Sequence, residues 1–216
     1  MLSCYPEEML EQGARRCLRF DQVIANEGSG PLELRYRLDE ALTTGVLRQR
    51  IYSSDGSHRE RLADRLQFHA AHAHFHYANF AQAHLWASNA QGDRLGSAPV
   101  RSGRKNGFCL IDVDNHRFGE KGDSARTYGA PACLLPTSGD DVVHGISVGW
   151  ADVYNWFLAD QFIEVSGLPD GDYLLESVAD PADTLVEEDD GDNAAATHIQ
   201  ICGDRAEVVG EANVCP

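Results

Sequence analysis

Ten residues constrain this chain more than any others: Phe68-His69-Ala70-Ala71-His72-Ala73-His74-Phe75-His76-Tyr77. His72, His74 and His76 stand two apart, and side chains two apart on an extended strand leave the same face. Ala73, Phe75 and Tyr77 then fall on the opposite face and can enter a core. One stretch thus commits the chain both to β structure and to metal binding, since so many imidazoles on a core strand would otherwise be polar groups without partners. A straight strand spreads the outer two Cα atoms by roughly 13 Å, at about 3.3 Å per residue. Convergence on one ion therefore requires a bend or a bulge. His69 lies out of phase and is expected beside the metal rather than on it. Imidazole suits copper, zinc, iron and nickel, and three nitrogens with an open position fit Cu(II) or a catalytic zinc.

The rest of the chain agrees with an all-β, sandwich-like fold with long loops. Leu32-Glu-Leu34-Arg-Tyr36-Arg-Leu38 alternates strictly between apolar and polar, as a half-buried strand must. Further strands are predicted over Val46–Tyr52, Gly107–Val113, Gln161–Val165, Asp172–Val178 and His198–Cys202. Turns are predicted at Ser54-Asp55-Gly56 and over Leu168–Asp172. Pro6 to Cys17 opens with Glu7, Glu8 and Glu11 around Met9 and Leu10, the pattern of a short helix with an acidic start. With 216 residues the chain fits one domain, 1–216.

A formal net charge of −16 argues against a nucleic-acid partner, because phosphate binding relies on basic patches. It favours solubility and is compatible with attracting cationic amines. Only Lys105 and Lys121 supply an ε-amine, so any lysine chemistry has two candidates. The sequence has no apolar run long enough to span a membrane. Its first residues lack the basic start and apolar stretch of a secretory signal, so an export signal is expected to lie outside this sequence.

The six cysteines fall into three sequence-local neighbourhoods: Cys4 with Cys17, Cys109 with Cys133, and Cys202 with Cys215. An even count suits disulfides and an oxidising, extracellular setting, although six cysteines allow 15 pairings. The absence of Cys-x-x-Cys argues against a thiolate zinc site.

These residues together resemble the catalytic domain of the lysyl oxidase family, whose copper motif is similar to Trp-His-x-Cys-His-x-His-Tyr-His. By that resemblance His72, His74 and His76 take the copper-ligand roles. The family's cysteine inside the motif falls at Ala71, which would leave Cys133 without its usual partner and favours pairing it with Cys109. A second block, Arg104-Lys105-Asn106-Gly107-Phe108-Cys109-Leu110-Ile111-Asp112, resembles His-Lys-Ala-Ser-Phe-Cys-Leu-Glu-Asp and places Lys105 at the cofactor lysine. A third, Gly145 to Tyr154 followed by Gln161 to Val165, places Tyr154 at the cofactor tyrosine. Trp150 and Asp160 stand where the family has flanking cysteines.

The resemblance implies copper and lysine tyrosylquinone, formed from Lys105 and Tyr154, as cofactors. It implies oxidation of primary amines, on lysine-bearing proteins or small molecules, to aldehydes by O2 with release of ammonia and H2O2. The acidic stretch Glu187 to Asn193 corresponds to a region that binds calcium in some members, and its carboxylates and amide are suitable oxygen ligands. His84, His116 and His144 are candidate proton-abstracting bases by chemistry alone. The competing reading is a secreted zinc- or copper-binding module without oxidase activity. A zinc hydrolase fits less well, because no glutamate lies within the histidine motif to act as base.

Overall fold

The computed structural model describes residues 2–38, 45–69, 74–115, 124–129 and 141–210. The chain is all-β apart from one short helix, as the alternation predicts. That helix, α1 (Pro6–Gln12), starts with proline in its first turn and stops at Gly13, whose φ of 68° ends it in a left-handed cap. The helix is thus shorter than the predicted Pro6 to Cys17, and Cys17 already belongs to the first strand.

The strands in chain order are β1 (Cys17–Arg19), β2 (Gln22–Ala25), β3 (Leu32–Leu38), β4 (Gly45–Tyr52), β5 (His58–His69), β6 (His74–Tyr77), β7 (Ala81–Ser88) and β8 (Arg94–Leu95). They continue as β9 (Arg101–Ser102), β10 (Asp114–Asn115), β11 (Asp141–Ile146), β12 (Trp150–Tyr154), β13 (Phe162–Glu164), β14 (Gly171–Ala179), β15 (Ala194–Cys202) and β16 (Arg205–Val208). Among the described residues β11-β3-β4-β5-β6 form one large sheet and β16-β15-β14-β7-β8 another, with β9 also on β7. Smaller sheets are β10-β12-β2 and β1-β13.

Leu34, Tyr36, Leu47, Leu66, Phe75 and Tyr77 of the first large sheet pack with Phe80, Phe108 and Leu110 in one core. Leu85, Ile163, Tyr173, Ile199 and Ile201 gather in a second core with Leu18. Neighbouring β7 residues feed both, Ala81 the first core and Ala83 the second, which links them through one strand.

Two expectations need correcting. Gly107 to Val113 is extended but is not a ladder strand: Phe108 pairs with Tyr77, Leu110 accepts from Gly145, Asp112 donates to Tyr128 and Val113 donates to Ala151. Its backbone groups are satisfied by several neighbours in turn, so no single register forms. The histidine run is also not one continuous strand. His69 ends β5 and His74 begins β6, and the two are register partners in an antiparallel pair that also sets Gln67 opposite His76. The bend expected between His72 and His76 falls partly on 70–73, a stretch that includes His72 and lies outside the described residues.

Candidate functional site

The site is assembled by backbone pairing around Phe108. Tyr77 and Phe108 exchange N–H···O bonds of 2.8 and 3.1 Å, which fixes the segment carrying Lys105 alongside β6 and His76. On its other side the Cys109 N–H donates to the Tyr154 hydroxyl at 2.7 Å, and that hydroxyl contacts the Cys109 carbonyl at 3.3 Å. Phe108 meets the Tyr154 ring edge-on, with centroids 4.5 Å apart. The histidine hairpin, the lysine segment and β12 are thus locked in that order.

Within this frame the Lys105 Nζ lies 4.7 Å from the centroid of the Tyr154 ring and 5.3 Å from that of Phe108. Burial pushes its pKa down to about 8, against the pull of the Asp160 and Asp152 carboxylates. The Tyr154 phenol is pushed well above its ordinary range by burial, reinforced by Asp152. Asp152, on the same strand two residues earlier, is 1% exposed, and its Oδ2 has no hydrogen-bond partner among the described residues. Burial drives its pKa well above the usual carboxylate range, although Lys105 pulls the other way. The pair is an amine eased toward its neutral form beside a phenol that stays protonated.

A cleft of about 450 Å³ opens on Lys105, lined by His76 from β6, Lys105 and its neighbours, Glu11 and Gln12 from α1, and Asp160. His76 is buried and packs against Gly107, where a Cβ would stand 3.1 Å from the His76 Cβ. Lys105, Tyr154 and His76 are therefore brought to one place. His72 and the side chains of His69 and His74 lie outside the described residues.

Of the candidate bases, His84 faces Ser102 at 2.8 Å, and His144 is buried against Tyr36 and the Cys109 sulfur. Neither lines the cleft. His116 and Lys121 fall outside the described residues. Asp152, Asp160, Glu11 and Gln12 were not singled out as site residues by the sequence. Asp152 had a signal, since it stands two residues before Tyr154 and so shares its side of the strand.

Cys4 and Cys17 form a disulfide that ties α1 to β1. Cys109 and Cys202 are also disulfide-bonded, and no described cysteine is free. Cys133 and Cys215 lie outside the described residues. In the acidic stretch Glu187 accepts from Asn193, Glu188 from Ser29 and Asp189 from Gly191, so these oxygens are engaged in local hydrogen bonds. Among the described residues no helix is long and apolar enough to cross a membrane.

A mostly β chain that seats a partly buried lysine amine over a tyrosine ring, next to a histidine hairpin, defines a narrow class. Residues 57–210 match the family model described as Lysyl oxidase, and the chain belongs to that family. It is 25% identical over 215 residues to lysyl oxidase homolog 2 of Gallus gallus, covering 95% of this chain and 22% of the relative. It is 27% identical over 138 residues to lysyl oxidase homolog 3B of Danio rerio, covering 64% and 15% of the two chains. Lysyl oxidase homolog 3A of Danio rerio is 25% identical over 193 residues, covering 89% and 20%. The chain spans about a fifth of the length of these curated relatives, or less.

Proposed function

We propose that this chain is a secreted, copper-dependent amine oxidase whose organic cofactor, lysine tyrosylquinone, is made from its own Lys105 and Tyr154. The observation that carries this reading is the 4.7 Å approach of the Lys105 nitrogen to the Tyr154 ring. The residues present fit such a group: a nitrogen that bonds to the ring needs a lone pair, and burial moves Lys105 toward the neutral form that has one. The buried His76 opens onto the same cleft, and His72, His74 and His76 would hold the metal. When bound, copper supplies with O2 the oxidation that converts a tyrosine ring to a quinone.

The chain's own residues have three tasks. The Cys109 N–H and Phe108 hold the Tyr154 ring in a fixed plane. Burial beside the Phe108 and Tyr154 rings desolvates Lys105 and keeps its nitrogen reactive. Asp152, buried within Coulombic reach of that nitrogen, can take a proton as the amine gives one up. The overall reaction consumes a primary amine, O2 and water and gives an aldehyde, ammonia and H2O2. The substrates are small primary amines or lysine side chains of proteins, and the disulfides suit an oxidising compartment.

Peptide mapping after exposure to copper and oxygen tests this directly. The Lys105 and Tyr154 peptides are expected to disappear in favour of one joined peptide, with amine-dependent peroxide release. Lys105→Arg keeps the charge but is expected to abolish both. Unmodified peptides and no peroxide in a copper-loaded sample would leave a metal-binding module in place of an oxidase.

A further inference from the structure

The sequence has three tryptophans, and the fold treats one of them differently. Trp86 donates its indole N–H to Glu176 at 2.7 Å and carries the Arg94 guanidinium 3.9 Å from its ring centroid. Trp150 donates to the Ser124 carbonyl at 2.8 Å and has the Arg126 guanidinium 6.0 Å from its ring centroid. Among the described residues the Trp156 indole has neither contact. It is 51% exposed, and Phe157, whose ring meets it edge-on with centroids 5.8 Å apart, is 53% exposed.

Scattered apolar side chains at a surface are ordinary. This pair differs because its backbone is held from beneath. The Trp156 N–H donates to Asp21 at 2.6 Å, Arg19 donates to the Trp156 and Leu158 carbonyls at 2.9 and 3.2 Å, and the Tyr5 hydroxyl donates to the Phe157 carbonyl at 3.1 Å. Two large rings are presented to solvent on a fixed turn, so a partner that covers them has little backbone left to order.

The same turn joins two parts of the site. Tyr154 lies two residues before Trp156, and Asp160, which lines the cleft, lies three residues after Phe157. Three residues of chain reach at most about 11 Å, so the rings border the cleft. A small amine that fits inside the cleft of about 450 Å³ touches nothing beyond it. A polypeptide that delivers one lysine side chain must lay its neighbouring residues on the surroundings.

Charge selects what covers the rings. A chain with net charge −16 draws cations toward its surface and repels anions. The nearby Arg19 does not oppose this, because its side chain is buried in an ion pair with Glu8. An indole is the best aromatic receiver of a guanidinium or ammonium group, and the other two tryptophans already hold one supplied by this chain.

We propose that Trp156, backed by Phe157, is a docking platform for a second cationic side chain of the substrate. The substrate is then a basic polypeptide segment with an arginine or lysine about three residues from the lysine that is oxidised, since three extended residues cover about 10 Å. This rests on the oxidase reading and narrows its substrate class.

Two peptides test it: Ac-Arg-Gly-Gly-Lys-Gly-Gly-Arg-NH2, and the same peptide with both arginines replaced by glutamine. A guanidinium is not a primary amine, so each peptide offers one oxidisable group. In copper-loaded, cross-linked protein followed by peroxide release, the ratio of kcat/KM for the arginine peptide to that for the glutamine peptide is expected to fall about fivefold in Trp156→Ala. Trp156→Phe keeps a ring and is expected to lose less. Neither change alters a charge or a backbone bond of the turn, so attraction by the acidic chain as a whole is the same in all three proteins. Leu10→Ala, at an exposed apolar residue of α1, is expected to leave the ratio unchanged. A ratio unchanged in Trp156→Ala overturns the platform. A second measurement stands apart from turnover: in the metal-free parent protein, the indole N–H resonance that is missing from Trp156→Ala is expected to shift more with the arginine peptide than with the glutamine peptide. Equal shifts, or none, overturn the platform. If the parent chain forms no cross-link and no peroxide, the oxidase reading falls and the resonance alone decides whether Trp156 receives a cation.

Discussion

Asp112 and Asp152 sit in neighbouring extended segments joined by the Val113 N–H to Ala151 carbonyl bond, and both are shut away from water at 0% and 1% exposure. Their surroundings differ completely. Asp112 accepts from the Ser147 N–H and hydroxyl, each at 2.7 Å, and from the Thr127 and Tyr128 N–H groups at 2.8 and 2.9 Å. The Asp152 Oδ2 has no such donor among the described residues, and what favours the carboxylate is a backbone hydrogen bond from Val153 and, after it, the Lys105 amine. A buried carboxylate surrounded by fixed donors pins loops together. One left beside a lysine of lowered pKa stays available for proton traffic.

The largest way to break this contrast is Asp112→Ala, which strands four donor groups. It is expected to cost about 3–5 kcal/mol, read from the denaturant midpoint, and a loss under about 1 kcal/mol would show that Asp112 is not the anchor. Next comes Lys105→Met. The folded-state pKa of about 8 lies below the ordinary 10.5, so the unfolded chain binds the extra proton across that interval. The lysine therefore penalises folding below pH 8, and the penalty fades as pH rises toward 10.5. Removing it is expected to stabilise the protein by on the order of 3 kcal/mol at pH 7, with a rise in Tm that shrinks by pH 10. An unchanged or lower Tm at pH 7 would show that the amine is not desolvated.

Asp152→Asn should move stability by less than about 1 kcal/mol, since it exchanges one unpartnered buried atom for another. It should nevertheless slow formation of the Lys105–Tyr154 link about tenfold, followed by the quinone chromophore after copper addition. A destabilisation matching that of Asp112→Ala would erase the difference between the two aspartates. The smallest effect is in pH dependence: the rate of link formation in the parent chain should climb with pH up to about 8 and then level off as Lys105 becomes neutral. A rate that falls over this range would exclude a neutral amine as the attacking group.

The sequence was most legible where one face of a strand is apolar and the other wet. Leu32–Leu38 emerges with the predicted bounds, and Gly45–Tyr52 extends its prediction by one residue. β5 was missed because His58-Arg-Glu-Arg-Leu-Ala-Asp reads as a polar connection, and it gains its strand character by pairing with β4. Gly107 to Val113 has strand composition without one continuous neighbour, a tertiary matter that alternation does not record. The lysine and the tyrosine were found by resemblance, and the structure sets them side by side. Asp160, Gln12 and Glu11 were invisible as a group, because a helix at the start of the chain and a turn far along it meet only in the fold.

The contact between Gly107 and His76 ties the history of two positions together. No left-handed backbone calls for glycine at 107; a side chain there would meet the His76 Cβ at 3.1 Å and its Nδ1 at 3.2 Å. Any lineage that acquires a larger residue at 107 must move the histidine hairpin outward by a few tenths of an ångström in compensation. The two sites should therefore drift as a couple, and the width of the gap between metal strand and lysine segment is an inherited dimension written in a missing methyl group.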